Sequence, residues 1–198
     1  ARTARPFAFS LQPLLKPERR PMILASQSPR RKQLLEELGY EPLVLPADID
    51  ESRKPDESPV ELVERLAAQK AEASRSRAVR EGLSTPDGLL LAADTIVWDE
   101  DEVLGKPRDA DDARRMLASL SGRRHHVTTG VCAMRLSAQG EVEARRNFSV
   151  TTAVEFWPLT ASEIDSYVET GEPMDKAGAY GIQGLGRLLV KGIEGDYF

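Results

Sequence analysis

The sequence is poor in the residues that cross-link small domains or hold structural metals. Among 198 residues there is one cysteine, Cys132, and there are two histidines. A single cysteine excludes a disulfide within the chain and a zinc site built from cysteines. We expect Cys132 to be a small buried core residue. No stretch approaches the roughly 18 apolar residues of a membrane span, so we expect no membrane partner.

Common catalytic motifs are missing as well. There is no G-x-x-x-x-G-K-[ST] phosphate loop, and no G-x-S-x-G nucleophile motif. Gly181, Gly184 and Gly186 lack the strand–helix context of a dinucleotide-binding fingerprint. The two histidines, His125 and His126, are adjacent at the start of a predicted strand. They therefore point to opposite faces and cannot form a helical metal pair.

Acidic residues outnumber basic ones outside the first residues. The net charge is −5, and residues 1–21 hold five basic side chains against one acid, which leaves −9 for the remainder. Such an acidic body is unsuited to neutralising phosphates of duplex DNA or RNA, so we expect no nucleic-acid partner. Residues 1–21 also contain four prolines and lack the apolar stretch of a secretory signal. We interpret 1–21 as an N-terminal appendage (an extension, a tag or a weak targeting segment) and 22–198 as one domain.

Strand-like and helix-like segments alternate along 22–198. Helices are predicted after four capping residues, and the first of them carries an apolar stripe of Leu34, Leu35 and Leu38; the caps are Ser28, Ser58, Asp109 and Thr160. The predicted strands are 22–25, 40–45, 89–98, 125–136, 141–157 and 188–190. This mixed order predicts an α/β or α+β sheet covered by helices.

Two cationic features depart from local rules. Arg30 and Arg31 lie in the first turn of a predicted helix, where the helix dipole disfavours cations unless an anion binds. With Ser26 and the helix N-terminus they form a candidate phosphate cradle, although two solvated surface arginines would look the same. Lys70 falls on the apolar face of the helix after Ser58. It either extends to water or points into a cleft towards a phosphate.

A carboxylate in an apolar run and a segment of small residues also depart from the local sequence rules. Asp94 interrupts the apolar run 89–98, and burying a carboxylate is costly unless it binds a metal, pairs with a cation or performs chemistry. An acidic loop around Glu51 offers a second carboxylate for a shared divalent cation. The segment 175–184 is rich in small residues and is either a ligand-binding backbone or a mobile surface loop.

Five motifs occur in order along 22–198. They are L-A-S-Q-S-P-R-R from Leu24, A-D-T-I-V from Ala93, G-K-P from Gly105, S-G-x-x-H-x-V from Ser121, and G-E-P-M-D-K-A-G-A-Y-G-I-Q-G from Gly171. Together they closely resemble the motifs of the Maf family of nucleoside triphosphate pyrophosphatases. The resemblance implies an ITPase-like mixed, twisted central sheet with flanking helices, in two lobes around a deep nucleotide cleft. Family members are commonly homodimers.

The resemblance also implies an activity and a set of site residues. The expected reaction is hydrolysis of a nucleoside triphosphate to the monophosphate and pyrophosphate in the cytoplasm, with Mg²⁺ or Mn²⁺. Asp94 matches the family's proton acceptor, and Glu51 and Asp94 are the expected metal ligands; whether Asp94 is mainly base or mainly ligand stays open. Substrate and phosphate binding is expected of five residues: Ser26, Arg31, Lys70, Lys106 and Lys176.

Three positions indicate the branch of the family. Arg30, Thr95 and Gln183 resemble the dTTP/UTP branch, whereas the 7-methyl-GTP branch has tryptophan, glutamine and glutamate there. A neutral amide such as that of Gln183 can pair with the donor–acceptor edge of uracil or thymine. We therefore expect dTTP, UTP or modified pyrimidine nucleotides as substrates in a house-cleaning role. The alternatives are a 7-methyl-GTP pyrophosphatase and a non-catalytic nucleotide-binding regulator of cell division or septum formation.

The chain departs from the family pattern at both ends. The segment 1–21 has no family counterpart. Family members usually continue beyond the equivalent of Phe198 into a closing helix, so we expect that a C-terminal helix is missing here. Such a loss would affect stability and dimer contacts more than catalysis.

Overall fold

The computed structural model describes residues 20–85, 88–100 and 102–198. Most of the expected appendage, residues 1–19, lies outside these ranges. The strands are β1 (Arg20–Leu24), β2 (Tyr40–Val44), β3 (Leu89–Asp99), β4 (Glu102–Leu104), β5 (Arg124–Leu136), β6 (Val142–Phe156) and β7 (Val190–Glu194). The α-helices are α1 (Pro29–Glu37), α2 (Pro59–Arg80), α3 (Ala110–Leu120) and α4 (Ala161–Glu169), and short 3₁₀ turns occupy Glu172–Asp175, Ala177–Ala179 and Leu185–Leu189.

The strands form a seven-stranded mixed sheet. Its order is β2-β1-β3-β5-β6-β7, with β4 paired to β3. β1 runs parallel to both β2 and β3, whereas β4 is antiparallel to β3 and β7 is antiparallel to β6. The prediction of a mixed α/β fold with a central sheet and flanking helices is thereby confirmed. None of the helices in the described ranges is long and apolar enough to cross a membrane.

The chain divides into two compact units. Within the described residues, the first unit comprises 20–49, 70–92 and 133–145, and the second comprises 50–69, 93–132 and 146–198. The first unit buries the apolar face of β1 with the end of α2, where the Ser74 hydroxyl donates to the Leu45 carbonyl at 2.8 Å. The core of the second unit is formed by α3, which contributes Leu117, by α4, and by strand residues that include Val97 and Phe156.

The predicted helix caps form in the structure. The Ser28 hydroxyl accepts the amide of Arg31, and the Asp109 carboxylate accepts that of Asp112. Reciprocal capping boxes form at the other two helices, with Ser58 and Glu61 at α2 and Thr160 and Glu163 at α4. These bonds depend on residues three positions apart, which is why the sequence alone indicates them.

Three local predictions differ from the structure. The apolar stripe of α1 is not a core face, because no residue of α1 is buried and Leu38 is 41% exposed. The final strand is wrong as predicted over 188–190: residues 185–189 form a 3₁₀ turn, and β7 begins at Val190. β1 begins at Arg20, two residues before the domain start expected at Met22, since Arg20 and Pro21 pair with β2.

Candidate functional site

The start of α1 in the first unit is a small polar cluster. The Arg31 guanidinium donates to the Ser26 hydroxyl at 2.9 Å, and the same hydroxyl accepts the amide of Ser28 at 3.2 Å. Ser26 is buried, and Arg30 and Arg31 are half-buried. The first turn of α1 contains no acidic residue that would offset these cations. The helix end therefore keeps the positive field that favours an anion.

Lys70 belongs to the same unit. It is half-buried on α2, while Ala71 and Ser74 on that helix are fully buried. Its position at the margin of the apolar face agrees with the pattern in the sequence. Desolvation of part of the side chain strengthens any charge–charge interaction that its ammonium makes.

Asp94 in the second unit is buried on β3. It is 9% exposed and is followed by Ile96 and Val97, which are also buried. Next to it, the Thr95 hydroxyl shares a hydrogen bond of 3.0 Å with the Thr129 hydroxyl. A carboxylate held in this apolar strand is poorly hydrated, which is the setting of functional carboxylates.

The acidic loop that contains Glu51 is exposed. Asp50 accepts the amide of Ser52 at 2.9 Å, and this bond lowers the pKa of Asp50 below its usual range. Glu51 itself is exposed at this turn. Across the described ranges, no group of three or more histidine, cysteine or acidic side chains is placed to hold a metal.

Two predicted phosphate-binding lysines lie on neighbouring loops of the second unit. The amide of Gly178 donates to the carbonyl of Gly105 at 3.0 Å, which joins the Lys106 loop to the Lys176 loop. Lys176 donates to Asp175 at 2.6 Å and to the Glu172 carbonyl at 2.9 Å. The bond from Lys176, with a smaller contribution from the charge of Lys106, lowers the pKa of Asp175. The ammonium of Lys176 keeps one of its three donors beyond these two bonds.

The glycine-rich segment that follows is packed in the core of the second unit. Gly178, Ala179, Tyr180 and Gly181 are buried, which excludes a mobile surface loop. Gly178 has φ +67°, and an added Cβ would lie 2.8 Å from Cγ1 of Val97. The segment therefore packs directly against β3, three residues from Asp94.

Gln183 presents an unused acceptor. Within the described ranges its Oε1 is enclosed and has no hydrogen-bond partner, although the residue as a whole is half-buried. An enclosed polar atom without a partner costs free energy until a ligand or water supplies a donor. Gln183 therefore has the chemistry expected of a ligand-reading residue.

Two hydrogen-bonded features of this segment are not predicted from the sequence. Tyr180 shares a 2.8 Å hydrogen bond with the ring of the fully buried His125, and burial lowers the pKa of His125 to about 4. Glu172 accepts amide donors from Leu185 and Gly186. The sequence gives one indication that Glu172 has a special role: it is an acidic residue between Gly171 and Pro173, next to a segment rich in small residues.

The structure thus brings predicted residues together within each unit. In the first unit Ser26 and Arg31 are in direct contact, and Lys70 is half-buried on α2. In the second unit the loops of Lys106 and Lys176 are joined, and the segment that continues to Gln183 packs on the strand of Asp94 and Thr95. Glu51 lies on an exposed turn of that unit.

Comparison with known proteins identifies relatives along nearly the whole domain. Residues 21–198 match the sequence profile of the family described as Maf-like protein. A protein named dTTP/UTP pyrophosphatase from Halalkalibacterium halodurans is 49% identical over 179 residues, covering 90% of this chain and 87% of that protein. One of the same name from Anaeromyxobacter sp. strain Fw109-5 is 51% identical over 175 residues, covering 88% and 80%. Among solved structures, the Staphylococcus aureus Ham1 protein aligns with a TM-score of 0.43 at 14% identity, over 69% of this chain and 71% of that one.

Proposed function

The chain belongs to the Maf family, and from this premise we propose that it hydrolyses dTTP and UTP to the nucleoside monophosphate and pyrophosphate. The observation that carries the proposal is an identity of about half over nine-tenths of the chain with proteins named dTTP/UTP pyrophosphatase. The three branch-specific residues Arg30, Thr95 and Gln183 agree with that assignment. No observation favours the alternatives of a 7-methyl-GTP enzyme or a non-catalytic regulator.

Phosphate binding is assigned to cationic and hydroxyl groups. A nucleoside triphosphate carries about four negative charges, which need neutralisation before a nucleophile can approach phosphorus. Arg31, aligned by its bond to Ser26, offers a planar donor fork at the start of α1. Lys70, Lys106 and Lys176 supply point charges. Because all nucleoside triphosphates carry the same phosphates, these groups do not distinguish one base from another.

Asp94 is assigned to the chemical step. Its carboxylate orients a water molecule and accepts one of its protons while the water oxygen bonds to the α-phosphorus. The bond between that phosphorus and the bridging oxygen breaks, and the electron pair leaves with pyrophosphate. The burial of Asp94 supports this role, since a carboxylate in an apolar strand is costly unless it binds a metal, pairs with a cation or performs chemistry.

A divalent cation fits the donor set. Glu51 and Asp94 are oxygen donors, and Mg²⁺ is commonly bound by one or two carboxylates together with phosphate oxygens of the substrate. Glu51 and Asp94 would hold Mg²⁺ or Mn²⁺, which neutralises phosphate charge and polarises the scissile phosphorus.

Base selection is assigned to Gln183, with Arg30 and Thr95. The enclosed Oε1 of Gln183 lacks a donor in the described structure, and uracil and thymine each carry one ring N–H between two carbonyl groups. The side-chain amide of Gln183 has an acceptor for that N–H and a donor for a neighbouring carbonyl. A neutral amide gives no electrostatic preference for a cationic base such as 7-methylguanine.

We further propose that the enzyme is a homodimer that acts in the cytoplasm. Both statements follow from the resemblance to the family. Sedimentation equilibrium of the purified chain tests the first, and a fluorescent fusion in the source cell tests the second. A monomer at all concentrations, or an extracytoplasmic location, would contradict them.

The activity is tested by pyrophosphate release. The purified chain is incubated with dTTP, UTP, GTP and 7-methyl-GTP in the presence of Mg²⁺ or Mn²⁺, with Asp94→Asn as the control for contaminating enzymes. We expect dTTP and UTP to be the best substrates by at least about tenfold in kcat/KM. Pyrophosphate release no faster than that of Asp94→Asn would overturn the proposal.

The metal assignment has its own test. EDTA should abolish turnover, and Mg²⁺ or Mn²⁺ should restore it. Because the site needs substrate oxygens, calorimetry should detect little binding of Mn²⁺ to the nucleotide-free protein and clear binding once UMP and pyrophosphate are present. Full activity in metal-free buffer would contradict the role given to Glu51.

A further inference from the structure

Glu172 is the centre of a hydrogen-bond cluster in the second unit. Its Oε1 accepts the Tyr167 hydroxyl at 2.8 Å and the amide of Gly186 at 3.1 Å, and its Oε2 accepts the amide of Leu185 at 2.9 Å. The Tyr167 hydroxyl in turn accepts the amide of Gly181 at 3.3 Å. A carboxylate and a phenol thus bind the backbone of 181–186 at three points.

The backbone at 184 lies directly against this carboxylate. A Cβ added at Gly184 would lie 2.5 Å from Oε2 of Glu172. A side chain at 184 would therefore require the carboxylate to move away from the amides that it accepts. The amide of Gly184 also donates to the carbonyl of Gly181 at 3.0 Å, which closes a turn. Gln183 lies inside that turn, so its backbone position is set by groups that Glu172 holds.

The ionised state of Glu172 suits this role. Burial by itself raises the pKa of Glu172. Four interactions lower that pKa by a larger amount, so the net pKa lies below the ordinary value; they are the bonds from the amide of Leu185, the Tyr167 hydroxyl and the amide of Gly186, and the charge of Lys176. A carboxylate accepts only, and it meets only donors here. The backbone carbonyl of Glu172 also accepts the Lys176 ammonium at 2.9 Å. Glu172 therefore holds both the turn 181–186, which carries Gln183, and the predicted phosphate-binding residue Lys176.

We propose that Glu172 is the positioning residue of nucleobase selection: its carboxylate fixes the turn 181–186 and thereby the backbone of Gln183, whose side-chain amide pairs with the edge of uracil or thymine. The inference rests on the proposed hydrolysis of dTTP and UTP. Glu172 touches no reacting atom in this scheme. Its substitution is expected to weaken recognition of the base and to leave the chemical step and phosphate binding largely intact.

The test is Glu172→Gln, which keeps the size of the side chain but turns one oxygen into an amide donor that faces amide donors. We expect KM for dTTP and UTP to rise by at least about tenfold while kcat changes by less than about threefold. The dissociation constant of UMP should rise in parallel, while that of inorganic pyrophosphate should not change. Glu163→Gln is the matched control, because Glu163 also binds backbone and hydroxyl donors in this unit but caps α4.

A double-mutant cycle separates positioning from a general structural role. If Glu172 acts through Gln183, then Glu172→Gln should add less than about twofold to the KM of Gln183→Ala. Tyr167→Phe, which removes one bond to Glu172 and one acceptor for Gly181, should shift KM in the same direction by a smaller factor. It replaces Glu172→Gln if circular dichroism shows that variant to be unfolded.

The outcomes distinguish the two proposals. A wild-type chain without pyrophosphate release would overturn the proposed function itself. An active wild type whose Glu172→Gln variant keeps KM and UMP affinity, loses UMP and pyrophosphate affinity equally, or adds its full effect to Gln183→Ala would overturn the positioning role alone.

Discussion

The start of α1 and the segment 176–186 hold their predicted ligand-binding residues through different kinds of contact. At α1 the contacts are local, since Arg31 reaches Ser26 five residues away and no residue of the helix is buried. In 176–186 the contacts are distant along the chain. Tyr180 bonds His125 at a separation of 55 residues, and its own ring is buried.

The difference matters for what each region can recognise. A local cluster of cations and hydroxyls at a helix end fits a phosphate, whose charge is recognised over a range of orientations. Discrimination between bases needs a donor or acceptor held in one direction, because its energy comes from leaving the wrong partner unpaired. The packed segment supplies that rigidity for Gln183. We therefore expect Ser26 and Arg31 at the start of α1 to control affinity for all nucleotides, and Gln183, together with Arg30 and Thr95, to control the choice among them.

The largest expected effect concerns the strand against which the segment packs. Asp94→Asn keeps the size of the buried side chain but removes its basicity, so kcat for dTTP should fall by about 10²-fold or more. Steady-state pyrophosphate release and thermal unfolding measure rate and fold together. Asp111→Asn on α3, an exposed carboxylate, is the control and should stay within about twofold of wild type. A rate for Asp94→Asn within tenfold of wild type would remove Asp94 from the chemistry.

The second expected effect is on stability and uses two glycines with positive φ. Gly178→Ala combines φ +67° with a Cβ 2.8 Å from Val97, whereas Gly171→Ala has φ +74° and open space. A left-handed alanine costs about 1–2 kcal/mol by itself, so we expect roughly 1 kcal/mol for Gly171→Ala and about 2–3 kcal/mol for Gly178→Ala. Urea unfolding gives both values. Equal losses would show that the segment is not packed tightly against β3.

The same contrast explains which parts of the molecule could be predicted from sequence. Helix caps at Ser28, Asp109 and Thr160 are satisfied within three residues, so the pattern alone indicates them. The burial of Asp94 follows from its apolar neighbours along one strand. The mixed sheet follows from the order of the elements and from the family motifs.

Other features depend on residues far apart in sequence. The partners of Glu172 lie 13 and 14 residues away, and no periodicity links them. The leucines of α1 have helical spacing, yet spacing does not reveal that the described chain leaves them half-exposed. The predicted last strand begins at Leu188, two residues before β7, because the buried Leu189 belongs to a 3₁₀ turn. Apolar character indicates burial and does not by itself identify the element.

A third prediction tests base selection directly. Arg30→Trp, Thr95→Gln and Gln183→Glu together should lower kcat/KM for dTTP and UTP and raise relative activity on 7-methyl-GTP, because an indole face and a carboxylate favour a cationic base. The single Gln183→Glu should act mainly by loss, since an enclosed carboxylate without its cation is costly. We expect the ratio of dTTP to 7-methyl-GTP activity to move by at least about tenfold, or roughly 1.4 kcal/mol. An unchanged ratio would show that these residues do not govern base choice.

The smallest expected effect concerns the cap of α1. Ser28 accepts the amide of Arg31 at 3.4 Å, and Thr160 accepts that of Glu163 at the nearly equal distance of 3.3 Å. Ser28→Ala and Thr160→Ala should each therefore cost up to about 1 kcal/mol of stability. Only Ser28→Ala loosens the turn that carries Arg31, so only this variant should raise KM, by about threefold and equally for dTTP and UTP. A change in the ratio of the two substrates would mean that the Ser28 cap acts on base selection and not on phosphate binding, and a matching rise in Thr160→Ala would mean that KM follows stability alone.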